Sequence, residues 1–202
     1  MVLDSYRPFA DRILIPIAMR LKGINPDVFS WLALVFAVLT GYAFYTGEKS
    51  FLLLASLFVA VSGFADAMDG ALARVSKLAS KRGDFLDHVL DRYADIFIIG
   101  GLMLSPWVND ILGFFAIIGV LLLSYMGTMA QAMVGKRDYG GYLGRATRLL
   151  ILVLAPVVHY ALLRFGITEI YSFTFLEWVM IGFAIVGNIT ALQRAFNTFR
   201  KL

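Results

Sequence analysis

Between Phe64 and Asp95 the chain reads FADAMDGALARVSKLASKRGDFLDHVLDRYAD and carries six aspartates. Four of them form two helical pairs. Asp66 and Asp69 are three apart, which sets them roughly 60° apart around a helix, whereas Asp87 and Asp91, four apart, lie roughly 40° apart and one turn above each other. On two antiparallel helices joined by a short turn, the pairs face one another. Ionised carboxylates near lipid cost about 2.5–3.5 kcal/mol each on insertion scales. A hard divalent cation offsets that cost, and facing carboxylate oxygens are the donors that Mg2+ or Mn2+ selects. Four carboxylates suffice for two ions. Two ions a few ångströms apart suit phosphoryl transfer, because they hold both the attacking and the leaving oxygen.

The neighbours of the aspartates fit the same chemistry. Gly70, Ala73 and Gly83 are small and let a phosphorylated ligand approach the helix backbone. Arg74 is placed to pair with a phosphate. Helix-end charges that simply neutralise each other would explain one such pair, but not four carboxylates on adjacent helices. Asp84 fits a helix start favoured by the dipole. Asp95, one turn beyond Asp91, fits a structural ion pair or a hydrogen-bond acceptor for a neighbouring helix. His88 reads as a polar neighbour of the cluster and not as a ligand.

The elements that must position these residues are membrane spans. Of 202 residues, 60% are hydrophobic and 16% charged, too apolar for the surface of a soluble domain of this length. The apolar windows approach the roughly 20 residues that cross hydrocarbon, and six spans are expected, at about 29–47, 51–73, 83–104, 111–134, 147–165 and 175–198. The second and third are polar at their facing ends, so hydropathy alone draws them short. Residues 1–23 carry charges throughout and apolar residues at helical spacing, which predicts an amphipathic helix on the membrane surface and not a signal peptide. The fold class expected is all-α integral membrane, one domain over 1–202. The chain has no cysteine, which rules out disulfides, and His88 and His159 are too distant in sequence to suggest a metal-binding pair.

Fifteen of the eighteen Lys and Arg fall on one side of this layout: Arg7, Arg12, Arg20 and Lys22; Arg74, Lys77, Lys81 and Arg82; Lys136, Arg137, Arg145 and Arg148; and Arg194, Arg200 and Lys201. Lys49 and Arg164 fall on the other, and Arg92 lies within the third span. Both termini and the aspartate cluster are therefore expected in the cytoplasm. The net charge of +4 is spread over four membrane-proximal segments, which suits anionic headgroups and not nucleic acid. Intramembrane acids also mark ion paths, so an ion-coupled transporter is the alternative reading. A transporter places its acids near the midplane, usually on broken helices. Here they cluster at one face.

From Asp66 to Asp91 the segment resembles the signature of the CDP-alcohol phosphotransferase family, D-x-x-D-G-x-x-A-R-x8-G-x-x-x-D-x-x-x-D, and every fixed position is present: Asp66, Asp69, Gly70, Ala73, Arg74, Gly83, Asp87 and Asp91. The six-span layout extends the resemblance over the chain. It implies a homodimeric enzyme of phospholipid biosynthesis in the cell membrane that displaces CMP from a CDP-linked lipid or alcohol with the hydroxyl of a small alcohol. By the same resemblance, Asp66, Asp69, Asp87 and Asp91 form the metal site, for two Mg2+ or Mn2+ ions, and Asp91 also takes the acceptor's proton. Asp66, Asp69, Gly70, Ala73, Arg74 and Gly83 are assigned to the nucleotide. Ser80 stands where relatives carry a small hydroxyl residue near it. The segment INPDVFSWLAL resembles the family's approach to the first span and adds Pro26 and Asp27, although N-P-D is equally a strong helix start with Asn25 as cap.

GRATRLLIL (Gly144–Leu152) and LQR (Leu192–Arg194) are similar to the inositol-phosphate and glycerol-phosphate branches. That likeness implies a phosphorylated polyol acceptor, bound by Arg145, Arg148 and Arg194 through charge-assisted bonds. Inositol-phosphate enzymes carry a basic pair after an S-Y dipeptide, whereas SYMGTMAQA has Gly127, Thr128 and Met129 there. The acceptor's identity is left open on that ground.

Overall fold

A computed structural model of the chain describes residues 7–78, 80–135, 141 and 143–202. Lys136 and Arg137, counted above among the loop cations, lie outside the described residues, as does the side chain of Arg7. The described residues form seven helices: α1 (Arg7–Arg20), α2 (Asp27–Tyr45), α3 (Lys49–Ser76), α4 (Lys81–Met103), α5 (Asp110–Val134), α6 (Arg145–Arg164) and α7 (Phe175–Phe199). No strand occurs among them; the only bridge is an isolated one between Ile170 and Phe173.

Five helices, α2, α3, α5, α6 and α7, are long and apolar enough to cross a membrane. The chain is an all-α membrane protein. The expected third span corresponds to α4, which is 23 residues long but carries Lys81, Arg82, Asp84, Asp87, Asp91, Arg92 and Asp95. Those charges keep it from qualifying on composition, so the helix is present where six spans require it while its hydropathy is not that of a span.

Glycines set two of the helix crossings. A Cβ on Gly101 would fall 2.3 Å from the Cα of Gly41, so α2 and α4 touch backbone to backbone. Gly187 would meet Gly119 at 2.9 Å in the same way, joining α7 to α5. Without a hydrophobic drive between helices in lipid, such small-residue contacts and polar cross-links hold a bundle together. Two serines of α3 supply cross-links: Ser62 Oγ donates to the Ala33 carbonyl of α2 at 2.8 Å, and Ser56 Oγ to the Val153 carbonyl of α6 at 2.6 Å. The helix α3 is thereby fixed between α2 and α6. Beside its last turns lies α1, whose Leu14 and Ala18 are buried with Met68, Ala71 and Leu72.

Candidate active site

The site is built where α3 ends and α4 begins. Lys77 stops α3 in the left-handed region at φ 54°, and the Leu78 N–H returns to the Ala73 carbonyl at 3.1 Å, a helix stop in which orphan carbonyls find donors. Ser80 then caps α4, its hydroxyl accepting from the Gly83 N–H at 3.1 Å. These two caps hold the link short, so the helices run antiparallel. Asp66, Asp69, Gly70, Ala73 and Arg74 occupy the last turns of α3. Gly83, Asp87, Asp91 and Asp95 form a stripe at i, i+4 spacing that runs inward along α4.

The carboxylates converge. Asp66, Asp69 and Asp87 each bring an oxygen within 4.8 Å of the others, and Asp87, His88 and Asp91 bring ligand atoms equally close. The Nη1 of Arg145, at the start of α6, donates to Asp66 Oδ1 at 2.7 Å and is also paired with Asp91 Oδ1. A fixed cation is thus already drawn between the two carboxylates. Oxygen donors on facing helices, in a place that attracts positive charge, fit a hard divalent ion, which Asp66, Asp69, Asp87 and Asp91 could hold. Asp69 is buried and further fixed by α2, for Ser30 Oγ donates to its Oδ2 at 2.7 Å.

Beside the carboxylates opens a cavity of about 600 Å³. Its wall includes Asp69, Gly70, Ala73, Ser80, Gly83 and Asp87 from the signature region, and Pro26 and Asp27 from the start of α2. Both expectations for the N-P-D segment have a structural counterpart: Asn25 Oδ1 accepts from the Asp27 N–H at 3.0 Å as a cap, while Pro26 and Asp27 line the cavity. Gly70 and Gly83 are in ordinary helical geometry, and a Cβ on either would approach neighbours no closer than 3.4 Å. Their lack of a side chain enlarges the cavity and does not relieve strain. Arg74 stands over Gly70, its guanidinium directed to Asp11 of α1 at 2.7 Å.

The three arginines expected around an acceptor are dispersed by their partners. Arg145 is on the carboxylates. Arg148, one turn further along α6, is buried and donates to Asp95 Oδ2 at 2.9 Å, so Asp95 has the ion pair to a neighbouring helix that its position suggested. Arg194 of α7 is buried and donates to the Leu123 carbonyl at 2.8 Å. Arg92 lies 3.4 Å from Asp91 and 3.5 Å from Asp95, linking the outer and inner parts of the stripe.

Three residues of this region escaped sequence reasoning. Ser30 is a hydroxyl in the first turn of an apolar span, a signal that is present but weak. Lys22 and Arg82 line the cavity, yet in the sequence they were indistinguishable from cations that set topology.

The sequence profile of the CDP-alcohol phosphatidyltransferase family matches residues 23–189. The chain belongs to that family. This CDP-alcohol phosphotransferase is an enzyme of metal-dependent phosphotransfer. It is similar to the archaetidylinositol phosphate synthase of Pyrococcus horikoshii, with 29% identity over 100% of this chain and 98% of the relative. It is also similar to the phosphatidylinositol phosphate synthase of Streptomyces avermitilis, with 29% identity over 99% of this chain and 83% of the relative. Among solved structures, Mycobacterium tuberculosis phosphatidylinositol phosphate synthase in complex with manganese and citrate superposes with a TM-score of 0.74 at 26% identity, covering 92% of this chain and 88% of that one. The same enzyme with CDP-DAG bound gives 0.73 at 25% identity, covering 93% and 94%.

Proposed function

We propose that this phosphotransferase joins a phosphorylated polyol, of the inositol phosphate class, to a CDP-linked lipid, releasing CMP. The observation that carries this reading is the carboxylate cluster beside a nucleotide-sized cavity that Asp69 and Asp87 line, with Arg145 of α6 on Asp66 and Asp91. The cytidine and its phosphates occupy the cavity against Pro26, Asp27, Gly70, Ala73, Ser80 and Gly83, with Asp66, Asp69 and Arg74 toward the phosphates. A bound divalent metal supplies positive charge for the diphosphate and the developing negative charge. The acceptor hydroxyl forms a bond to the lipid-bearing phosphorus, the bond from that phosphorus to the CMP oxygen breaks, and Asp91 takes the hydroxyl proton. In this assignment Arg145 and Arg194 hold the acceptor's phosphate, and Arg148, occupied by Asp95, keeps α6 against α4 so that Arg145 is in reach.

The names of the inositol-phosphate relatives and the CDP-DAG in a similar structure support donor and acceptor classes alike. The charge distribution supports α4 as a sixth span, a cytoplasmic site and cytoplasmic termini; the family resemblance supports a homodimer. A phosphorylated acceptor brings about two negative charges and needs fixed planar donors. Arg194→Ala is therefore expected to raise the acceptor KM roughly tenfold to a hundredfold, the worth of a charge-assisted bond, and to leave the donor KM nearly unchanged. Better turnover of free than of phosphorylated alcohols would reject the acceptor class.

A further inference from the structure

Arg74, like Asp66 and Asp91, is a signature residue that does not line the cavity; it stands beside it, tied to a residue outside the signature. That residue, Asp11, is the only acid in α1 (RPFADRILIPIAMR), an otherwise basic surface helix. An acid there works against attraction to anionic headgroups, so its presence needs an offset. The offset is the 2.7 Å bond to the Arg74 Nη2. The pair is partly exposed, at 42% for the arginine side chain and 28% for the aspartate, and pairs of that exposure add little to stability. The burial of Leu14 and Ala18 against α3 docks α1 without it. What the pair fixes is direction: a long guanidinium side chain is held over Gly70, beside the cavity.

We propose that Asp11 is a positioning residue for Arg74, so that the docked surface helix sets the affinity for the CDP-linked donor. This rests on the reading that Arg74 meets a phosphate of the nucleotide. A preset guanidinium loses less side-chain entropy when the phosphate arrives.

CMP binding by calorimetry, with donor KM and kcat measured on CDP-diacylglycerol, tests it on the full chain in detergent. Arg74→Ala is expected to weaken CMP binding roughly tenfold or more. Asp11→Asn is expected to weaken it about three- to tenfold, a coupling of the size seen between contacting residues, with kcat and acceptor KM unmoved. Asp11→Glu should restore it, and Asp11→Asn should add nothing in the Arg74→Ala background. Should the amide variant fail to fold, Asp11→Ser gives the same comparison. Full CMP affinity in Asp11→Asn with weakened Arg74→Ala overturns the role of Asp11 alone. An equal loss from Asp11→Asn in both backgrounds also overturns it. Full affinity in Arg74→Ala overturns the reading of Arg74 beneath it.

Discussion

Two arginines of α6 sit one turn apart, and each meets aspartates of the stripe on α4, yet their surroundings differ. At Arg148 and Asp95 the side chains are 2% and 7% exposed. Nothing but protein can reach them, and the pair closes the bundle between α4 and α6. At Arg145 the partners Asp66 and Asp91 are shared, and the exposures are 23% for the arginine against 22% and 10% for the aspartates. There the charges are partly open and lie beside the further carboxylates of Asp69 and Asp87. Pairing is what any acid near lipid needs. Access and surplus negative charge separate a site from a clamp.

Substitutions at the two pairs should have different signatures. The largest effect is expected from Asp66→Asn, and from Asp69→Asn: turnover falls about a thousandfold, the scale reached when transition-state charge stabilisation is removed, while thermal stability holds. Activity assays beside a melting curve check this, and retained turnover in either variant would remove that residue from the site. Asp95→Asn should do the reverse. Breaking a buried pair while leaving its arginine in place costs about 3 kcal/mol or more of stability, read as a lower unfolding midpoint in detergent. Replacing both partners, Asp95→Leu with Arg148→Met, should recover most of it. An unchanged midpoint in Asp95→Asn would mean the pair is not a clamp. The smallest effect is expected from Ser30→Ala, which removes the 2.7 Å bond to Asp69. A loss of about 1 kcal/mol should appear as roughly fivefold weaker metal activation in a Mg2+ titration, with stability little changed.

This contrast also marks what sequence could convey. The spacing of Asp66, Asp69, Asp87 and Asp91 defines two helix faces, and a short link forces those faces together, so the convergence of the carboxylates follows from position alone. The bounds of α5 are legible because its apolar run begins just after Asn109, which caps it, whereas α3 has no side-chain cap at Glu48 and extends a little beyond its apolar run. Span character is less legible for α4, since the residues that make its chemistry are those that lower its hydropathy. The division of labour between Arg145 and Arg148 is not legible at all. It depends on how α6 is rotated and shifted against α4, and three residues of spacing fit either assignment. The same holds for Asp11 and Ser30, whose partners are 63 and 39 residues away and are chosen by packing.

The most direct measurement is CMP release from a CDP-linked lipid by the purified protein. It is made with and without inositol phosphate, first in Mg2+ and then after dialysis against EDTA. The account predicts release only when both the acceptor and the divalent ion are present, lost on chelation and restored by adding back Mg2+ or Mn2+. Undiminished release after chelation would contradict a carboxylate-held metal as the centre of this enzyme.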